Sequence, residues 1–289
     1  MDAGVLIEDR LEAALARAAS PECPPKLAKA MRHAVFPGGA RVRPRLCLAV
    51  AHACGGGEMR LAATAGAAIE LFHCASLVHD DLPCFDAADT RRGLASVQKE
   101  FGEALAVLAG DGLIVLGFET LALGATAKPE RLAPLFAILA SATGAPRGIV
   151  AGQAWESETD VNLRQYQRAK TGALFVAASM MGAVACGADP APWRTLGDRL
   201  GEAYQVADDI ADVAGSADKI GKPEGQDAAH GRPNAARELG VTGALDLLDA
   251  LIADAQSSIP ECDGAEALRA LVRMQAERLT PKHLVRNAV

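Results

Sequence analysis

Aromatic residues make up only 4% of this 289-residue chain, and runs of β-branched residues are short. That scarcity disfavours an all-β architecture, whose strands are built from those residue types. No two of the seven cysteines stand in a CxxC pair. An odd, dispersed set in a chain of this size reads as reduced thiols, against both a disulfide framework and a zinc site. Positive charge is also short: the formal net charge is −7. A nucleic-acid binder would be basic, so that class of partner is not expected. An acidic protein that handles an anionic substrate needs local cations or a bound metal. The first seventeen residues carry Asp2, Glu8, Asp9 and Glu12 and no continuous apolar stretch, unlike a signal peptide. No apolar run of about 18 or more residues stands out as a membrane span. The expectation is a cytoplasmic protein without a membrane span.

Half of the residues are hydrophobic, with alanine and leucine dominant, so one large helical core is within reach. Apolar residues recur at helical spacing almost throughout. Leu6, Leu11 and Leu15 mark a first helix that stops near Ser20-Pro21. Pro24-Pro25 open a second, ended by Pro37-Gly38-Gly39, and Pro44 starts a third, closed by Gly55-Gly56-Gly57. A long helix is expected from about Glu58 to His79. Others are expected over Gly102–Leu123, Pro129–Thr143, Gly148–Glu156, Tyr166–Gly187 and Pro192–Val213. Gly215–Pro233 reads as a loop, and two or three short helices finish the chain. With no repeat or linker, residues 1–289 read as one all-α domain.

Two acidic clusters carry the chemistry. In the run Tyr204 to Val213, Gln205, Asp208, Asp209 and Asp212 stand at i, i+3, i+4 and i+7, one stripe of a helix, among the apolar Val206, Ala207, Ile210, Ala211 and Val213. A polar stripe so flanked can face an internal cavity; it can equally be a solvated acidic face. Carboxylates one turn apart repel unless a cation joins them. Magnesium suits, since it takes one or two carboxylates plus water and phosphate oxygens. The second cluster is His79-Asp80-Asp81-Leu82-Pro83-Cys84-Phe85-Asp86, followed by Arg91-Arg92-Gly93. Its acids lie at the C-terminal end of a long apolar helix, where the macrodipole disfavours negative charge. Asp80 and Asp86 are too far apart for one helical face, so Pro83 must break the chain to bring them together. Ordinary loop acids would look alike in isolation. Together, two such clusters on separate helices can hold a diphosphate between them through bridging metals.

Scattered cations fit that reading, although each alone could be a solvated surface group. Gly38-Gly39-Ala40-Arg41-Val42-Arg43-Pro44 places two arginines where a loop enters a helix, a setting suited to phosphate. Lys170-Thr171-Gly172 offers an ammonium and a hydroxyl inside a helical run. Gly221-Lys222 to Asp227 offers a lysine on a glycine-hinged loop. His73 lies seven residues before Asp80 on the same stripe, with Ser76 between, and could also be a satisfied core histidine. Gln153 and Glu156 pair an amide and an acid one turn apart, as a site pair or a helix-end cap.

In this order along nearly the whole chain, these motifs resemble the trans-isoprenyl diphosphate synthases. The stretch His73–Asp81 and Gly152–Glu158 are similar to geranylgeranyl diphosphate synthases of carotenoid and bacteriochlorophyll pathways. The resemblance implies a helical bundle around a deep central cavity, the isoprenoid synthase fold, as a homodimer using Mg2+. It implies condensation of isopentenyl diphosphate with an allylic diphosphate through an allylic carbocation. Asp80 and Asp86 would bind metal from one wall, and Asp208 with Asp212 from the other, while Asp81 and Asp209 orient ligands or waters. Arg91, Lys170, Thr171, Gln205 and Lys222 would hold the allylic diphosphate; Arg43, His73 and Arg92 would hold isopentenyl diphosphate. The family has lysine where Ala40 stands, and Arg41 is a nearby cation that could compensate. A later family lysine is Arg232 here.

Ala75 and Ser76, the first small side chains before Asp80, imply room for a twenty-carbon product; the alternative is a farnesyl diphosphate synthase. A terpene cyclase would not need the second diphosphate site of Arg43, His73 and Arg92. An HD-type phosphohydrolase would need histidines in a register that the six here do not supply. A non-catalytic partner subunit would have no need of intact aspartates in both clusters.

Overall fold

A computed structural model describes residues 2–36, 38–213 and 234–279. The fold is all-α, as expected. Its only sheet among the described residues is a two-stranded hairpin, β1 (Thr90–Arg91) against β2 (Leu94–Ala95). The chain divides into two compact units, residues 1–140 with 177–190, and residues 141–176 with 191–289.

The first unit holds α1 (Ala3–Ala18), α2 (Pro25–Val35), α3 (Val42–Ala53), α4 (Met59–Asp80), α5 (Val97–Phe101), α6 (Glu103–Gly124) and most of α7 (Leu132–Thr143). Asp2 caps α1 by accepting from the Gly4 amide at 2.6 Å, and Pro25 opens α2 at its first turn, where a missing N–H costs nothing. The centre of the unit is α4, buried on nearly every side, and six of its 22 residues are alanine, so neighbouring helices can come close. Its tightest partner is α6. Gly110, Gly117 and Gly124 recur every seven residues and line one face of α6. A Cβ there would lie 2.0 Å from His79 Nε2, 2.7 Å from Phe72 Cε2 and 2.3 Å from Thr64 Cγ2, respectively. The α4 residues they meet, Thr64, Phe72 and His79, share one helical stripe, and Ala75 falls on it between the last two. Gly117→Val should therefore force the Phe72 ring aside and destabilise the fold by about 1–3 kcal/mol. Thermal unfolding followed by circular dichroism checks this; an unchanged midpoint would contradict the close α4–α6 packing.

The second unit holds the 3-10 turn Trp155–Ser157, α8 (Ile149–Ala154), α9 (Leu163–Gln167), α11 (Arg194–Val213), α12 (Ala235–Ser257) and α13 (Ala265–Leu279). Here the sequence expectations need two corrections. Tyr166–Gly187 is not one regular helix. It runs from α9 through a π-turn at Arg168–Gly172 into α10 (Ala173–Cys186), and the irregular turn carries the Lys170-Thr171 pair. The closing helices are as many as expected but longer: the segment α12 spans 23 residues as two helices joined across Gly240, whose φ of 72° and ψ of 164° are non-helical and suit glycine, and α13 has 15. The loop expected over Gly215–Pro233 lies outside the described residues.

Three helices are long and apolar enough to cross a membrane by length and composition: Met59–Asp80, Glu103–Gly124 and Gln165–Cys186. The first and third are mostly buried inside the protein, whereas less than half of the second is. The sequence reading, that no stretch is long and apolar enough to span, is corrected on this point.

Candidate active site

In the first unit, α4 ends at Asp80 and the chain turns back at once. The Asp86 amide donates to the Asp80 carbonyl at 2.9 Å, and the Ala88 amide donates to that of Asp81 at 3.1 Å. Pro83 and Ala87, the latter with a φ of 50°, complete this turn. The expected return of Asp86 onto Asp80 is what the backbone does. Asp81 is buried and points elsewhere. It accepts from Arg91 Nε at 3.0 Å and from Arg91 Nη2, which fixes the guanidinium. Asp81 is thus paired with Arg91.

Arg92, beside it on the hairpin, donates to the Gly38 carbonyl. Its guanidinium fills the space above Gly39, where a Cβ would come within 2.8 Å. The hairpin and the Gly38-Gly39 loop are therefore held together by this arginine. His73, on α4, is half-buried near the same cations. Burial first, and then the charges of Arg43, Arg92, Arg91 and Arg41, hold its pKa well below the usual histidine value. It is neutral at pH 7 and offers a hydrogen bond without a charge. Because its folded pKa is depressed, the stability tied to this state is present above the ordinary histidine pKa of about 6.5 and falls away as the pH drops below it. Arg43, His73, Arg91 and Arg92 are thus brought into one cationic neighbourhood.

Arg41, whose charge also reaches His73, is itself engaged by carboxylates. Only 4% exposed, it donates to Glu8 Oε1 and Glu70 Oε1, both at 2.8 Å, and to the Val35 carbonyl at 2.9 Å. Burial alone would lower its pKa, but the hydrogen bond to Glu8 and the charge and hydrogen bond of Glu70 outweigh this and raise it. Glu70, 2% exposed, also stands 4.0 Å from Arg92, so one buried carboxylate ties the Arg41 loop to the Arg92 hairpin. Sequence reasoning misses Glu70. Its signal is a lone acid inside the apolar run Leu61–Phe72, a position that requires a partner.

The small residues Ala75 and Ser76 diverge. Ala75 is 1% exposed on the stripe that faces α6, while Ser76 is half-buried on the stripe of His73 and Asp80, its hydroxyl donating to the His73 carbonyl at 2.8 Å.

In the second unit, Lys170 and Thr171 lie on the π-turn. Lys170 Nζ forms an ion pair with Glu156, and Thr171 Oγ1 donates to Gln205 Oε1 at 2.9 Å. Gln205 Nε2 in turn donates to Asp209 Oδ1 at 3.0 Å. Asp209 is 1% exposed, and its Oδ2 accepts from the Ala235 amide at 2.8 Å. Asp209 therefore fixes Gln205 and the start of α12. On the same helix Asp208 is exposed, and Asp212, one turn on, pairs with Arg237 at 3.0 Å. Lys222 and Arg232 lie outside the described residues. Among the described residues, no set of three or more His, Cys, Asp or Glu side chains forms a protein-only metal cage.

An all-helical scaffold bearing aspartates at one helix end and arginines clustered close by defines a class of enzyme that handles phosphorylated substrates. The chain belongs to the polyprenyl synthetase family, whose model matches residues 24–255. It is a transferase of prenyl groups on the isoprenoid synthase fold. The chain is 54% identical to a geranylgeranyl diphosphate synthase of Cereibacter sphaeroides, covering 95% of this chain and 96% of that protein. It is 50% identical to one of Rhodobacter capsulatus, covering 94% and 96%. Among solved structures, it superposes with a TM-score of 0.78 on a geranyltransferase from Helicobacter pylori complexed with magnesium and isoprenyl diphosphate, at 26% identity over 96% of this chain and 98% of that one.

Proposed function

We propose that this chain is a magnesium-dependent geranylgeranyl diphosphate synthase that condenses isopentenyl diphosphate with allylic diphosphates until the product has twenty carbons. The observation that carries the reading is the cationic neighbourhood of Arg43, His73, Arg91 and Arg92 beside the Asp80–Asp86 turn, in a chain so similar to enzymes of that name. Asp80 and Asp86, with Asp208 and Asp212, are the carboxylates that would hold magnesium. When bound, the metal supplies Lewis-acid neutralisation of the leaving diphosphate.

In this reading Arg91, Lys170, Thr171, Gln205 and Lys222 bind the allylic diphosphate and steady its charge as the carbon–oxygen bond breaks. Arg43, Arg92 and neutral His73 hold isopentenyl diphosphate so that its double bond attacks the allylic cation. The apolar walls keep water from that cation, and the proton lost at the end passes to the departed diphosphate. A role in carotenoid synthesis is supported by the His73–Asp81 and Gly152–Glu158 stretches.

We propose further that the chain works in the cytoplasm as a homodimer. Val107, Leu108, Val115 and Leu123 of α6 are 41–67% exposed and form an apolar surface that a second copy would cover.

The test is direct. Purified protein, magnesium and isopentenyl diphosphate are given each allylic starter in turn, and the dephosphorylated products are sized by chromatography. A twenty-carbon product is expected. Arg43→Ala should raise the KM for isopentenyl diphosphate, and Lys170→Ala that for the allylic substrate. Light scattering of the same preparation should give about twice the 29.9 kDa chain mass. A fifteen-carbon product would make the protein a farnesyl diphosphate synthase, and absence of condensation with every starter would sink the reading.

A further inference from the structure

We propose that Glu156, with Tyr166 and Gln153, is a positioning residue that holds the Lys170 ammonium ready for the allylic diphosphate before that substrate arrives; this rests on the assignment of Lys170 to that substrate made above. Lysine is a poor pre-organised ligand. Four rotatable bonds give its head group about 2 kcal/mol of rotamer entropy, and it carries no fixed fork like that of arginine. In this protein both ends of the side chain are restrained. At the backbone end, α8 packs onto the π-turn through Gly152, where a Cβ would come within 2.4 Å of the Lys170 nitrogen and 2.5 Å of its Cα. Only glycine lets the two segments meet.

At the other end, Glu156 Oε1 accepts from both Lys170 Nζ and the Tyr166 hydroxyl, the latter at 2.7 Å. Glu156 Oε2 accepts from Gln153 Nε2 at 3.0 Å, so the carboxylate is itself fixed on both oxygens. The Tyr166 ring centre lies 5.9 Å from Lys170 Nζ, within reach of a cation–π contact. Glu156 and Tyr166 therefore meet at the ammonium, and Gln153 fixes the Glu156 carboxylate that holds it. Thr171, the next residue of the π-turn, is separately fixed to Gln205 at 2.9 Å, so the clamp acts on Lys170 alone.

A residue that acts through Lys170 should lose its effect when Lys170 is gone, and a double-mutant cycle reads this. Wild type, Glu156→Gln, Lys170→Ala and the double variant are compared by separate saturation curves for the two substrates, with thermal midpoints as a check on folding. Glu156→Gln keeps the shape and removes the charge, so it should fold. It should raise the KM for the allylic substrate several-fold and leave that for isopentenyl diphosphate within about twofold. The double variant should match Lys170→Ala. Tyr166→Phe should show the same pattern, more weakly. The clamp is overturned if Glu156→Gln leaves the allylic KM unchanged, shifts both KM values alike, or adds its full effect in the Lys170→Ala background. If Lys170→Ala itself leaves the allylic KM unchanged, the site assignment of the proposed function fails instead, and the clamp with it.

Discussion

Asp80→Asn should slow turnover by about 2 kcal/mol of barrier or more, a loss greater than tenfold, and Asp86→Asn and Asp208→Asn should do the same. The change is isosteric, so the turn that returns the Asp86 amide to the Asp80 carbonyl, a backbone contact of 2.9 Å, should survive it. What is lost is negative charge: for Asp80 and Asp86 at the end of α4, where the helix dipole opposes an anion, and for Asp208 on α11. Asp81 gives the contrast: its partner is the Arg91 guanidinium, so Asp81→Asn should act through Arg91 and the allylic substrate, with less dependence on magnesium. Titrating magnesium against the rate separates the cases. The Asp80, Asp86 and Asp208 variants should need more magnesium for half-maximal rate, and the Asp81 variant should not. If the first three all kept near-wild-type turnover at saturating magnesium, the proposed assignment of magnesium to these carboxylates would be wrong.

The fold and much of the site were legible because their signals are local. Helical periodicity, with proline and glycine at the boundaries, placed α4 within one residue at each end, Glu58–His79 against Met59–Asp80. The need for a turn at Pro83 followed from the spacing of Asp80 and Asp86 alone. What was not legible depended on partners distant in sequence. Arg41 and Arg43 look alike in the chain, and only the approach of Glu8 and Glu70 turns Arg41 into a structural ion pair. The π-turn at Lys170 is hidden because its apolar pattern continues into α10. Gly152 and Gly201 both lie close against it, and a Cβ on Gly201 would come within 2.6 Å of Gly172 Cα. Glu156 read equally well as a cap, since its Lys170 partner is fourteen residues away.

Ser76→Phe should shorten the product from twenty carbons to fifteen while leaving turnover measurable. A chain that grows from a diphosphate held near Asp80 has α4 as one wall and runs toward that helix's N-terminal end. Along the stripe of Asp80 the first side chain is Ser76, one turn back, half-buried and small. Further along the helix stand Gly66, Ala67 and Ala68, also small, so bulk must come from elsewhere. Phe72 supplies it. Its ring meets Phe118 edge-on at 5.0 Å between centres, and Phe118 meets Phe136 at 5.4 Å, a linked aromatic group on α4, α6 and α7. Eight residues before Asp80, Phe72 lies about 12 Å down the helix axis, and we assign the floor to this group. Each methylene buried above it favours binding by about 0.8 kcal/mol, so growth is favoured until the aromatic group is met. An aromatic ring at position 76 raises the floor by about one helical turn. Ala75→Tyr should shift the product in the same direction at a greater loss of stability. Ala75 is 1% exposed against α6, so the new ring must leave that interface and swing toward the face of Ser76. Chromatography of dephosphorylated products and thermal midpoints decide between the two positions. If both variants still make twenty carbons, the chain does not run along this face of α4.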